Sequence, residues 1–289
     1  MTETPDWHPA RYLVSLYSPP SERALLDALF GIESEIVASL QGGLDHHVAH
    51  VRLQWWREEC ERTAKGHPNH PLTRAVASAF AGQSTAPLAG LSGFVDTTVW
   101  DLASATFETR KELTAYCERW STAMIVTAAT HASAQSQQQR AWLGIGAALH
   151  ELEMLTNLAT EAHSGRLRVP LDELEQAGVD PNTLVTIPWH PDVAALLSRR
   201  HEALRAQIAA AVDTLLPVDQ PDLRGLLGWA ALAVRRSVRS QAALPNPLRP
   251  ARFDALADSW LAWRTARRAL NCKFSFNSDA VTKRGSTAG

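Results

Sequence analysis

The chain has 289 residues, 45% of them hydrophobic and 20% charged, which is enough to bury a large core and too apolar for a disordered protein. Its 28 Lys and Arg against 30 Asp and Glu give a formal charge of -2, which argues against a dedicated nucleic-acid binder. Cys60, Cys117 and Cys272 lie far apart and form neither a CxxC pair nor a disulfide framework, so a reducing, cytoplasmic setting is the simplest expectation.

Residues 1–11 include Asp6, Trp7 and His8 and no apolar run, so they do not read as a signal peptide. Beyond them, Ala and Leu are abundant and alternating β-branched runs are nearly absent, which predicts helices. After Pro19-Pro20, Ser21 is the expected N-cap of a helix from Glu22 to Leu40, with Leu25, Leu26, Leu29, Ile32, Ile36 and Leu40 on one stripe and Gly42-Gly43 ending it. Asp45 starts a second helix that ends near Gly66, Pro71 a third that ends near Gly82, and Asp96 to Ala105 a fourth. Thr109 caps a helix reaching His131, and Gln135 to His163 is the longest clean helical stretch. A loop-rich segment, Gly165 to Pro191, holds a short helix at Leu171–Gln176. Val193–Leu215, Asp222–Leu244 and Phe253–Leu270 complete the set. The longest nearly apolar run, Gly225 to Val234, is far short of the roughly 20 residues that a spanning helix needs. No membrane span is expected, and the protein at most rests on a membrane surface.

Each apolar stripe reads first as core packing, so polar residues set in apolar helices are the informative ones. Glu33 and Glu35 interrupt the first predicted helix. His46 and His50 are four apart and can point one way, as metal-binding pairs do, but no third ligand follows by spacing and a solvated helix start explains them better. In Arg52-Leu53-Gln54-Trp55-Trp56-Arg57, two adjacent tryptophans cannot share one buried face, which predicts one core and one outward tryptophan with the arginines snorkelling. On the long helix His150, Glu153, Asn157 and Glu161 fall on one face. Unpaired buried charge is costly, so that face lines a polar cavity or meets water.

Several runs, in order and at matching spacing, resemble the squalene/phytoene synthase family. They are Ser21–Phe30, Arg52–Arg57 followed by Gly66–Pro71, Thr109–Cys117, and Gly146–His150 leading to Gly165-Arg166, Pro170 and Gly178-Val179. The Arg52–Arg57 run is particularly similar to the branch that includes the mitochondrial complex I assembly factor. The resemblance implies an all-α fold, a single-domain helical bundle of the isoprenoid synthase type around a central cavity, over residues 1–274, with a polar tail at 275–289 expected to fray. It also implies two aspartate-rich motifs that hold Mg2+ and, through it, prenyl diphosphates. Hard oxygen ligands suit that ion, and the ion neutralises the leaving diphosphate.

The sequence departs from the family at those motifs. Val37, Ala38 and Gln41 take the places of the first motif's aspartates, and no Asp lies between Asp27 and Asp45. Asn157 and Glu161 stand where the second motif has its aspartates, with His150 and Glu153 in place of the usual Gln and Asn. The resemblance therefore implies no catalytic residue. Glu35, Arg52, Trp55, His150, Glu153, Asn157, Glu161 and Arg166 are the expected cavity or residual substrate-binding residues, with Glu153 and Glu161 as candidates for a weak metal site.

Three functional readings follow. The first is a family member without catalysis that binds a prenyl or other lipid, or assists assembly of a respiratory membrane complex, and needs no cofactor. The second is an active prenyltransferase in which Glu153, Asn157 and Glu161 bind one Mg2+, while Arg166 and Arg168 hold phosphate. The third is a helical interaction module whose surface for a membrane-complex protein partner involves Arg235, Arg236, Arg239, Arg264, Arg267 and Arg268.

Overall fold

The computed structural model describes residues 9–40, 46–103, 106–132, 138–247 and 254–276. Among them every regular element is a helix. The expected features at Gln41, Gly42-Gly43, Asp45, Ala105, Gln135, Phe253 and residues 277–289 lie outside the described residues.

The described residues open with a helix that the apolar pattern does not announce, α1 (Pro9–Tyr17). It buries Leu13 and Val14 while Tyr12 and Leu16 face out. Its end is closed by Ser18, whose backbone N–H and hydroxyl both donate to the Val14 carbonyl. The next helix, α2 (Pro20–Val37), starts one residue before the expected cap. Pro19 is its N-cap and Pro20 its first residue, so Ser21 does not cap it; proline suits that first position because the N–H it lacks would have no partner within the helix. The predicted stripe is otherwise in place, with Leu25, Leu26, Leu29, Ile32 and Ile36 buried, and a short 3-10 turn at Ala38–Leu40 follows.

Helix α3 (His46–Ala64) turns at Gly66, which sits at φ +82°, and α4 (Pro71–Ala79) follows. The turn between them is organised by one buried carboxylate. Glu59 accepts from the backbone N–H groups of Asn69 (2.7 Å) and His70 (2.8 Å), from the Thr73 hydroxyl (2.5 Å) and from Arg62 (2.8 and 3.0 Å). After a 3-10 turn at Ala86–Leu91, α5 (Ser92–Leu102) begins four residues earlier than expected, because that turn runs straight into it.

Thr109 caps α6 (Arg110–Ser121) as its sequence predicts, accepting from the Glu112 N–H, while the Glu112 carboxylate accepts from the Glu108 N–H. A π-helical turn, Thr122–Val126, separates α6 from α7 (Thr127–Ala132), so the single helix expected to His131 is two. Likewise the long helix expected to His163 is α8 (Gln139–Thr156) and α9 (Leu158–His163), broken at Asn157. The set ends with α10 (Leu171–Gln176), α11 (Pro191–Asp213), α12 (Arg224–Ala243) and α13 (Asp254–Leu270).

Helix α8 is central and packs against α6, α11 and α12, while α1 bridges α2, α12 and α13. Gly146 lets α8 approach α6 closely: a Cβ there would stand 2.1 Å from the Ser121 hydroxyl. One continuous core runs from Val14 on α1 to Phe274 beyond α13. Phe274 is tied down by Gln220, which accepts from its N–H and donates to its carbonyl, both at 2.9 Å. No helix among the described residues is long and apolar enough to cross a membrane.

Candidate functional site

Helix α2 leads into the segment aligned with the first metal motif, and α8 into the segment aligned with the second, whose Asn157 and Glu161 lie at the α8–α9 break and on α9; side chains of three other helices lie between α2 and α8. On the α2 side Glu33 receives the Arg11 guanidinium of α1, at 2.6 and 3.1 Å, and the Trp120 indole N–H of α6, at 2.7 Å. On the α8 side Glu153 accepts from the Trp229 indole of α12 at 3.2 Å. The rings close the gap. Trp120 meets Trp229 edge-on at 5.8 Å, Phe30 meets Trp229 at 5.5 Å, and the Arg11 guanidinium lies 5.5 Å from the Phe30 ring and 5.9 Å from the Trp229 ring. The network is continuous from α2 to α8.

The electrostatics of this interior follow from burial. Burial works against the Arg11 charge, yet Glu33 and Glu153 hold it above the ordinary arginine value. Burial raises the Glu153 carboxyl above its usual range, against the pull of Arg11 and with Glu33 adding to the rise. His150 stacks on Trp120 at 4.3 Å with the rings nearly parallel, and faces Tyr116 at 5.7 Å. Neither of its ring nitrogens has a hydrogen-bond partner. Burial, then Arg168 and Arg11, push its pKa down to about 3, so it is a neutral ring in an aromatic stack.

A second layer lies at the junction of α9 and the following loop. Tyr116 donates to both oxygens of Asp101 at 3.1 Å, and Arg168 donates to Asp101 at 2.7 Å and to Glu161 at 3.0 and 3.1 Å. Arg166 adds a further bond to Glu161 at 2.8 Å. In a third layer Glu151 is clamped between Arg110 and Arg200, the latter at 2.5 and 2.9 Å. A cavity of about 10 Å3, room for about one water, lies between Arg110, Glu151, Arg168 and Arg200.

The residues singled out in the sequence are thus scattered. His150 and Glu153 face the interior. Asn157 is exposed at the break between α8 and α9, and Glu161 and Arg166 belong to the second layer. The helix break is why these residues do not form one stripe. Glu35 is exposed on α2 and pairs with His70 at 3.4 Å, outside the interior. Trp56 is core and Trp55 is 42% exposed, against Trp56, His70 and the Arg62 guanidinium. Arg52 is half-buried nearby, and Arg57 pairs with Asp96 at 2.9 Å. His46 and His50 are exposed, their rings 5.3 Å apart. Of the late-helix arginines, Arg235 pairs with Asp258 at 2.9 Å between α12 and α13. The residues that sequence reasoning passed over are Arg11, Trp120 and Trp229. No local pattern marks them: Arg11 sits in a short segment with little apolar period, and nothing near Trp120 or Trp229 in sequence names the carboxylates they meet.

Solved structures define the class. A dehydrosqualene synthase in complex with ligand superposes with a TM-score of 0.73 at 14% identity, covering 91% of this chain and 92% of that one. The squalene synthase HpnC from Alicyclobacillus acidocaldarius gives 0.64 at 18% identity, covering 82% and 89%. The fold is therefore an all-helical single domain of the isoprenoid synthase type. The squalene/phytoene synthase family model matches residues 8–255, and the chain belongs to that family. No curated protein sequence matches it.

The family implies Mg2+, and the donors present do not fit it. Mg2+ demands near-octahedral oxygen ligation from available carboxylates and water. Glu33 is occupied by Arg11 and Trp120, Glu153 by Trp229 with Arg11 close by, and Glu161 by Arg166 and Arg168. Among the described residues no group of three His, Cys, Asp or Glu side chains could hold a metal ion.

Proposed function

We propose that this chain is a non-catalytic member of the squalene/phytoene synthase family, acting through its surface in the assembly of a membrane-bound respiratory complex. The observation that carries the first part is Arg11. Its guanidinium lies against Glu33 and over the Phe30 and Trp229 rings, so the buried carboxylate on α2 is already neutralised from within the chain and is not open to a metal. Val37 and Ala38, where the family's first aspartates fall, support the same reading: α2 ends there with an exposed valine and passes into a 3-10 turn. Active prenyl transfer would require Glu161 to release two arginines, and Glu153 to lose its indole partner, before either could meet a metal. The interior between α2 and α8 holds the buried Trp120 and Trp229.

The test is isothermal titration and turnover with farnesyl diphosphate, with and without Mg2+. No metal-dependent binding and no condensation product is the expected result. Tight, metal-dependent binding with product formation would overturn the proposal. For the assembly role, affinity capture from the native cell should be dominated by subunits of one membrane complex.

A further inference from the structure

The outer face of α13 has no role in the interior network. Leu256, Trp260, Trp263, Arg267 and Leu270 follow at spacings of four and three, which sets them on one stripe of the helix. All five are exposed, Leu256 to 77% and Trp260 to 55%. The opposite side of the helix is buried through Ala262, Thr265, Ala266 and Ala269. The stripe is therefore not a core face turned out by accident, since the helix already has one.

Its chemistry is specific. From Ser259 to Phe276 the chain carries Arg264, Arg267, Arg268 and Lys273 and no acidic residue, in a protein where Asp and Glu outnumber Lys and Arg. The Arg264 guanidinium lies 5.3 Å from the Trp260 ring, and that of Arg267 lies 5.4 Å from the Trp263 ring. A cleft of about 260 Å3 is lined by Trp263, Arg264, Arg267, Arg268, Asn271 and Lys273. This is many times the ~10–15 Å3 that holds one water on the same measure, enough for a phosphate group. Indole rings with one polar edge, beside guanidinium groups, suit the headgroup layer of a bilayer, where Trp is favoured and anionic lipids attract Arg and Lys. A second copy of this chain is a poor occupant, because the same cations would face each other across the twofold. A purely apolar groove is no better, because Arg267 sits within the stripe.

We infer that α13 docks this protein on an anionic membrane surface, with Trp260 and Trp263 in the headgroup layer and Arg264, Arg267, Arg268 and Lys273 against lipid phosphates. The helix lies on the surface and does not cross it.

The experiment is co-sedimentation of the full chain with phosphatidylcholine vesicles, with and without phosphatidylglycerol. Tryptophan emission is followed in parallel, and thermal melts confirm that each variant folds. The wild type should bind only the anionic vesicles, with a blue-shifted emission, and more weakly as salt is added. R267E/K273E should weaken binding by roughly tenfold or more. W260S/W263S should lose the blue shift and bind more weakly. Failure of the wild type to bind anionic vesicles would overturn the inference. So would variants that bind as the wild type does, or a self-associated species dissolved by R267E/K273E without any vesicle binding.

Discussion

Replacing Arg11 by Met isolates the charge balance of the interior. The Arg11 and Glu33 side chains are only 19% and 9% exposed, so removing the cation leaves Glu33 with the Trp120 indole and takes from Glu153 the positive charge that favours its ionised form most. Breaking a buried pair from one side costs about 3–5 kcal/mol, because an uncompensated charge remains. An unfolding entropy of ~2.1 cal/mol/K per residue, over 289 residues, turns that into a fall in Tm of about 5–8 °C. The double variant R11M/E33Q removes both charges, while the carbonyl of the new side-chain amide can still accept from Trp120. It should recover about 2 kcal/mol or more of the loss, a coupling that denaturant titration of the wild type, both single variants and the double variant measures directly. The loss in R11M should also depend on pH. Without Arg11 the Glu153 carboxyl, already raised by burial, rises further above its unfolded value. Its contribution is then fully present below the unfolded pKa and lost as pH rises through the folded one, so R11M should be hurt less at about pH 5 than at about pH 7. A cost under about 1 kcal/mol, or a double variant that falls by the sum of the singles, would refute the reasoning that Arg11 stands in for a cation in a closed interior.

Two further outcomes follow from buried titratable groups. His150 is held down to about 3 and His201 to about 4, both first by burial, so each contributes stability that is full above the unfolded value and lost as pH falls from about 6.5 toward those values. H150F keeps the stack on Trp120 and cannot protonate, so urea titrations should show it spared about 2 kcal/mol of the wild-type change between about pH 7 and pH 5; equal changes in the two proteins would contradict a neutral buried ring. Glu59→Ala strips the acceptor from the Asn69 and His70 N–H groups and the Thr73 hydroxyl, and should cost about 3 kcal/mol. It should also speed amide exchange at the start of α4, and unchanged exchange there would show that the turn holds itself.

Much of the helical frame was legible because it depends on short-range rules. The Leu25 to Ile36 stripe, the Thr109 cap and α10 follow from 3.6-residue periodicity and capping chemistry, which act within a turn or two of helix. The split of Trp55 from Trp56 follows from the same geometry, since adjacent residues on a helix cannot share a face. The absence of aspartates from Asp27 to Asp45 could also be read from residue identity alone.

The interior was decided only in three dimensions. Helix α1 is nine residues long and has just two apolar side chains fully in the core, too little to stand out as a period. The partners of Glu33 are 22 and 87 residues away, and that of Glu153 is 76 away. Periodicity carries no information about which distant helix supplies a counter-charge. The break at Asn157 then parts Glu161 from Glu153, turning one expected polar stripe into two separate sites. Local pattern therefore set which residues are helical and which are buried. Whether the buried carboxylates meet a metal, a lipid or an arginine depended on packing among α1, α2, α6, α8 and α12, and here the guanidinium of Arg11 occupies that place.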